Sequence, residues 1–99
     1  VSELTDRVVQ IVQSIPAGRV MTYGAVAREA RTGARAVARV LYHGGHEIPW
    51  WRVVSAEGRP YPGAVHDARA RLREEATPLH EDTDDPRVDL ERAAWNPSA

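Results

Sequence analysis

The chain contains no cysteine. That absence removes disulfides, thiolate metal sites and thiol nucleophiles together, because each needs a sulfur that nothing else in the sequence supplies. Lysine is absent too, so all 13 basic residues are arginine, whose planar fork suits bidentate contact with phosphates and base edges. A bias toward Ala, Arg, Val and Gly explains the same pattern with no partner at all, and is the simpler account. No apolar run is long enough to cross a bilayer, and the first residues lack the basic-then-apolar order of a secretory signal. Cytoplasmic placement without a membrane partner is the expectation.

What is present is enough for one small core: 99 residues, 42% hydrophobic and 27% charged, the balance of a soluble globular domain. The net charge of −1 hides an uneven spread. Residues 1–76 hold 11 Arg against 8 Asp plus Glu, a surplus of three positive charges, whereas residues 77–99 hold 2 against 6. The reading is a mildly basic body over 1–76 and an acidic extension over 77–99, packed on the body or tethered to it.

Hydrophobic spacing predicts mostly helix. Leu4, Val8, Ile11, Val12 and Ile15 recur on one face of a first helix, with Ser2 placed to cap it and Pro16 and Gly18 to end it. Thr22 caps a second helix from Tyr23 to Ala30, and Thr32-Gly33 breaks the chain before a third, Ala34 to about Tyr42. Two short helices so closely joined outline a helix-turn-helix. On the third, Val37, Val40 and Leu41 face the core, while Ala34 with Ala38 and Arg35 with Arg39 form outer stripes at i,i+4 spacing. Residues 53–61, with a turn at Ala56-Glu57-Gly58-Arg59, suggest a small wing. A fourth helix from Val65 to Ala76 turns Val65, Ala68 and Leu72 inward. Glu81 to Asp85 reads as a solvated acidic loop, and Val88, Leu90 and Trp95 as residues that fasten the tail. The fold class is mainly α: a winged helix-turn-helix, a small domain of three to four helices with a short β wing.

The chain's chemistry concentrates in Ile48-Pro49-Trp50-Trp51-Arg52-Val53-Val54. Adjacent side chains on an extended or tightly turned backbone point in different directions, so Trp50 and Trp51 cannot fill one core site. One reading has one ring in the core and the other half-exposed against a helix; the other is an aromatic wall that receives a flat ligand such as a nucleobase. His43, His46 and Glu47 lie close in sequence, but Gly44 and Gly45 leave them unordered, so no metal and no cofactor is expected.

Three ordered motifs resemble one family. Ile15-Pro16-Ala17-Gly18-Arg19-Val20-Met21-Thr22-Tyr23-Gly24, Ala34-Arg35-Ala36-Val37 and Ile48-Pro49-Trp50-Trp51-Arg52-Val53-Val54 are similar to the DNA-binding domain of the O6-alkylguanine-DNA alkyltransferases, over about residues 3–76. Those proteins carry Pro-Cys-His-Arg where this chain has Pro49-Trp50-Trp51-Arg52; a non-enzymatic branch, the alkyltransferase-like proteins, has Trp at the acceptor position. The resemblance implies a monomer that binds duplex DNA through the minor groove. It turns O6-alkylguanine out of the helix, leaves it unrepaired and flags it for nucleotide excision repair proteins, being nucleoid-associated when bound. Alkyl transfer needs a thiolate activated by an imidazole, and Trp50 and Trp51 supply neither.

The same resemblance assigns roles. Tyr23, Trp50, Trp51 and Arg52 correspond to the lesion pocket; Trp51 departs from the family's His. Arg35 matches the arginine that fills the gap left by the flipped base, and Tyr23 the tyrosine that presses on the 3′ phosphate. Thr22, Ala34, Ala36, Ala38 and Arg39 complete the DNA-binding set. Glu75 falls where the enzymes keep an acid linked to the active-site His and, with no His, is read as a surface charge. The rival readings are a winged-helix transcription regulator without lesion preference, whose third helix lacks Asn, Gln or Ser to read base edges, and an acid–base enzyme, for which no convergent pair is visible.

Overall fold

The computed structural model describes residues 3–43, 45, 47–80 and 87–97. Helix α1, Glu3–Ser14, buries Val8 and Val12 and partly buries Leu4 and Ile11, the predicted face. Pro16 stops it, since the residue before a proline is pushed out of helical geometry. Strand β1, Met21–Thr22, leads directly into α2, Tyr23–Ala30, and the Thr22 hydroxyl accepts the Ala25 N–H at 3.1 Å as the predicted cap. At the other end of α2, Arg31 takes a left-handed φ of 59°, and Arg31 and Thr32 donate back to the Arg28 and Ala27 carbonyls. Arg7 of α1 donates to the Ala30 carbonyl at 3.0 Å, so a neighbouring helix satisfies part of the same terminus. Helix α3, Ala34–His43, follows after three residues and buries Val37, Val40 and Leu41.

The three helices close over one cluster, in which Val8, Val12, Val26, Ala30 and Val37 have no exposed surface. A 3₁₀ turn, Trp50–Arg52, then delivers the chain to β2, Val53–Val54, which pairs in parallel with β1 in the register Met21↔Val53 and Thr22↔Val54. The strand pair is shared between two cores. Met21 and Val53 face the helical cluster, while Val20 and Val54 face a second cluster with Leu72, Val88 and Ala93, the alternation a strand imposes. Of residues 53–61, only Val53–Val54 are strand; the rest is a tight turn, with Gly58 donating to Ser55 and Ser55 to Arg59 across 2.9 Å each.

A 3₁₀ turn at Pro62–Ala64 opens α4, Val65–Glu74. Ala68 and Leu72 are buried as expected, but Val65 is 37% exposed. That expectation is corrected by its place in the first turn, where the helix has not yet reached the core. The tail is built into the body. Strands β3 (Leu79–His80) and β4 (Arg87–Val88) pair antiparallel, and α5, Leu90–Ala93, brings the Ala93 carbonyl to the Val20 N–H at 2.9 Å, while Trp95 donates to Val20 at 2.8 Å. Arg19 adds side-chain bonds to the Ala93 and Ala94 carbonyls. Gly58 sits at φ +83° with its carbonyl accepting Val88 N–H, and a Cβ there would run into the Val88 carbonyl, so only glycine lets the turn and tail meet. The expected Ser2 cap and the acidic loop at Glu81 to Asp85 lie outside the described residues.

Candidate nucleic-acid interface

The tryptophans owe their placement to Pro49. Its fixed φ opens the 3₁₀ turn, closed by Arg52 N–H on the Pro49 carbonyl at 3.0 Å and Val53 N–H on Trp50. In so tight a turn successive side chains diverge, and the indoles stand 87° apart with centroids separated by 5.8 Å. Trp50 turns toward α3 and packs on the helical cluster; Trp51 turns toward α4 and packs on the second. Arg71 lies 4.6 Å over the Trp51 ring and Arg52 5.5 Å from it, a cation–π bracket that covers the indole. Both rings are half-buried.

Two concavities flank the turn. One, about 230 Å³, is a slot lined by Leu41, Tyr42, Trp50, Tyr61 and Ala64. The other, about 680 Å³, is an open cleft bounded by Gln13, Glu47, Arg71 and turn residues 48–52. The larger is wide and lined by both signs of charge; the smaller has the aromatic walls a planar ligand needs. Trp50 borders both, whereas Trp51 and Arg52 belong to the larger cleft alone.

Tyrosines organise the slot. Tyr42 lies flat on Tyr61, centroids 3.7 Å apart and planes within 10°, and meets the Trp50 edge at 6.3 Å. Its hydroxyl shares a short hydrogen bond with that of Tyr23, at the start of α2. Burial pushes both phenols up from their ordinary value, and the Tyr23 contact raises Tyr42 further. Both are neutral hydroxyls at any physiological pH.

The outer face of α3 continues from the slot. Ala34, Arg35 and Arg39 are exposed, Ala36 and Ala38 half-buried, and Thr22 and Tyr23 are half-buried at the junction of β1 and α2. Arg35, Ala38 and Tyr42 fall at i, i+3 and i+7, one stripe of the helix, so the row of small residues and guanidinium groups ends in the tyrosine that closes the slot. Sequence reasoning missed Tyr42 and Tyr61. The seven-residue step from Arg35 to Tyr42 was the available signal; nothing local marked Tyr61, which is set by the turn into α4.

Arg52 does something other than line the slot. Its Nε and Nη2 donate to the two Glu75 carboxylate oxygens at 2.9 and 2.5 Å, and its Nη1 donates to the Ile15 carbonyl at 2.9 Å. All three nitrogens are engaged within the protein, tying the tryptophan turn to the ends of α1 and α4. Glu75 is therefore not a surface charge: both side chains are only 16% exposed. Burial alone would raise the Glu75 carboxyl, but Arg52, the Trp51 indole and the Gly18 N–H outweigh it and hold it below the usual carboxylate range. The Trp51 N–H acts there as a dipole, since it does not reach hydrogen-bond geometry. Gly18, at φ +88°, approaches so near that a Cβ would lie 3.1 Å from the Glu75 carbonyl. Among the described residues no group of three His, Cys, Asp or Glu could hold a metal ion; His46 of the weighed histidine loop lies outside them. None of the described helices is long and apolar enough to cross a membrane.

The fold is shared by proteins of known structure. S. pombe Atl1, in complex with damaged DNA containing O6-carboxymethylguanine, is 28% identical, covers 96% of both chains and superposes with a TM-score of 0.82. A second structure, S. pombe ATL in complex with DNA, gives 27% identity, 96% coverage of both chains and a TM-score of 0.81. The Mycobacterium tuberculosis O6-methylguanine methyltransferase is 30% identical over 76% of this chain and 49% of its own, with a TM-score of 0.61. No curated protein sequence matches. Residues 3–77 match the family described as the 6-O-methylguanine DNA methyltransferase DNA binding domain, and the chain belongs to that family, with a fold like that of Atl1 over 96% of its length.

Proposed function

We propose that the protein recognises O6-alkylguanine in duplex DNA without repairing it. One observation carries the reading: Trp50, which by the resemblance stands where the family's enzymes present a thiol, forms one wall of an aromatic slot that opens beside the exposed face of α3. An indole carbon framework cannot accept an alkyl group from carbon–oxygen cleavage as a thiolate does, and the chain holds no thiol. It can stack. Likeness to Atl1, whose structure contains damaged DNA, supports the same substrate class.

In this reading α3 enters the minor groove. A helix with side chains is about 10–12 Å across, whereas the groove is only about 6 Å wide. Ala34, Ala36 and Ala38 keep the approach close, and the DNA widens and bends away. Arg35, exposed on the helix, takes the place of the base that leaves the stack; Tyr23, at the start of α2, contacts the neighbouring phosphate, with Thr22 and Arg39 on the backbone. Turning a nucleotide out costs a few kcal/mol, less for a lesion that pairs poorly. Stacking on an aromatic ring returns roughly 1–3 kcal/mol, so Trp50, Arg35 and the phosphate contacts together hold the base outside. With no chemistry to release it, the complex persists and marks the site for nucleotide excision repair proteins. The protein acts as a monomer on nucleoid DNA. Incubation with an O6-methylguanine duplex followed by base analysis tests this: the methyl group stays on guanine, and stoichiometric loss of it refutes the reading.

A further inference from the structure

We propose that Tyr42 is a specificity-determining residue that fills the base-stacking place in the free protein and must be displaced by the extrahelical base. The proposal rests on the lesion-binding reading above. The geometry carries it. Aromatic side chains ordinarily meet offset or edge-on with centroids 4.5–7 Å apart, yet Tyr42 and Tyr61 lie nearly face to face at 3.7 Å and 10°. That spacing is close to the roughly 3.4 Å step of stacked bases. No third ring fits between them, and Tyr42 takes up one side of the Tyr61 face within the slot that Trp50 walls.

Tyr42 is also the one slot residue that connects to both parts of the DNA-facing surface. It ends the Arg35–Ala38 stripe on α3, and its hydroxyl is tied to that of Tyr23, which our reading places against a phosphate. Moving the Tyr42 ring away breaks that tie, and an incoming phosphate oxygen gives the Tyr23 hydroxyl a replacement partner. Arrival of the backbone at Tyr23 and clearing of the slot are thus one event. A base still held in a good Watson–Crick pair gains too little from Tyr61 and Trp50 to displace the resident ring, whereas a base whose pairing is already weakened does so.

The test is a titration of wild type, Tyr42→Phe and Tyr42→Ala against matched duplexes with guanine or O6-methylguanine, after thermal melts establish that each variant is folded. Removing the competing ring in Tyr42→Ala tightens binding to the lesion duplex by roughly two- to tenfold, the worth of one aromatic pair, and changes binding to the undamaged duplex by a smaller factor, so the lesion preference rises. Tyr42→Phe keeps the stack and the fold but loses the tie to Tyr23, and gives a smaller gain. Equal or weaker lesion binding by both variants, with wild-type lesion preference intact, overturns the proposal and makes Tyr42 a wall of the pocket. A wild type that binds both duplexes equally overturns instead the lesion-binding reading, and the gating role with it.

Discussion

Glu75→Gln removes one negative charge and almost no volume from the joint between the tryptophan turn and α4. In the native protein the carboxylate accepts two N–H bonds from Arg52, at 2.9 and 2.5 Å, with both side chains 16% exposed. Glutamine offers one acceptor oxygen and turns an NH₂ toward the second Arg52 donor, so one charge-assisted bond is lost and the guanidinium keeps a largely buried charge without a counter-charge. Breaking a buried ion pair from one side costs about 3–5 kcal/mol; the surviving bond and partial solvent access bring this to about 2–3 kcal/mol. For a domain of this size, where 1 kcal/mol moves Tm by about 4–8 °C, the midpoint should fall by about 10–20 °C in a thermal melt at pH 7. The pH dependence has a definite sign. Glu75 is held below its ordinary value when folded, so its contribution is complete above the unfolded carboxylate range, near 4.3, and is lost as pH falls through the lower folded value. The gap between wild type and Glu75→Gln should therefore close in acid. A midpoint within about 3 °C of wild type at pH 7 would refute the claim that this pair holds the turn.

Arg35→Ala should weaken lesion binding by about 1.5 kcal/mol or more, the worth of a hydrogen bond to a charged group, and abolish the fluorescence rise of 2-aminopurine placed to report the opened stack. Arg39→Ala, one turn along, should weaken damaged and undamaged duplexes alike; matching effects of the two variants would remove Arg35 from the stack. Trp50→Ala should cost roughly 1–3 kcal/mol on lesion DNA if the indole stacks on the base, with no comparable loss on undamaged DNA. Because the body has a surplus of only three positive charges over residues 1–76, affinity should fall with salt at about 0.9 per neutralised phosphate, summing to a few. A slope on the order of 10 would show a far larger backbone footprint.

The helices were readable in the sequence because local signals agreed. Thr22 capped α2, Pro16 ended α1, and the apolar spacing of Val37, Val40 and Leu41 set the buried face of α3. What could not be read was any contact made across sequence distance. Glu75, with no His to pair with, reads as a surface charge, and only the fold brings it to Arg52, 23 positions away. Trp50 and Trp51 were expected to diverge, but which faced α3 depended on the 3₁₀ turn after Pro49. The parallel pairing of β1 with β2 likewise has no local signature, since a parallel partner lies a crossover away. The Tyr42–Tyr61 stack depends on both the helix register and the path into α4.

The central claim is recognition without repair, and the relative affinity of the wild-type protein for matched duplexes that differ only by one O6-methyl group tests it most directly. The aromatic slot beside Trp50 and the exposed α3 face predict clearly tighter binding to the O6-methylguanine duplex. Equal affinity for the two would contradict the account and leave a winged-helix DNA binder without lesion preference.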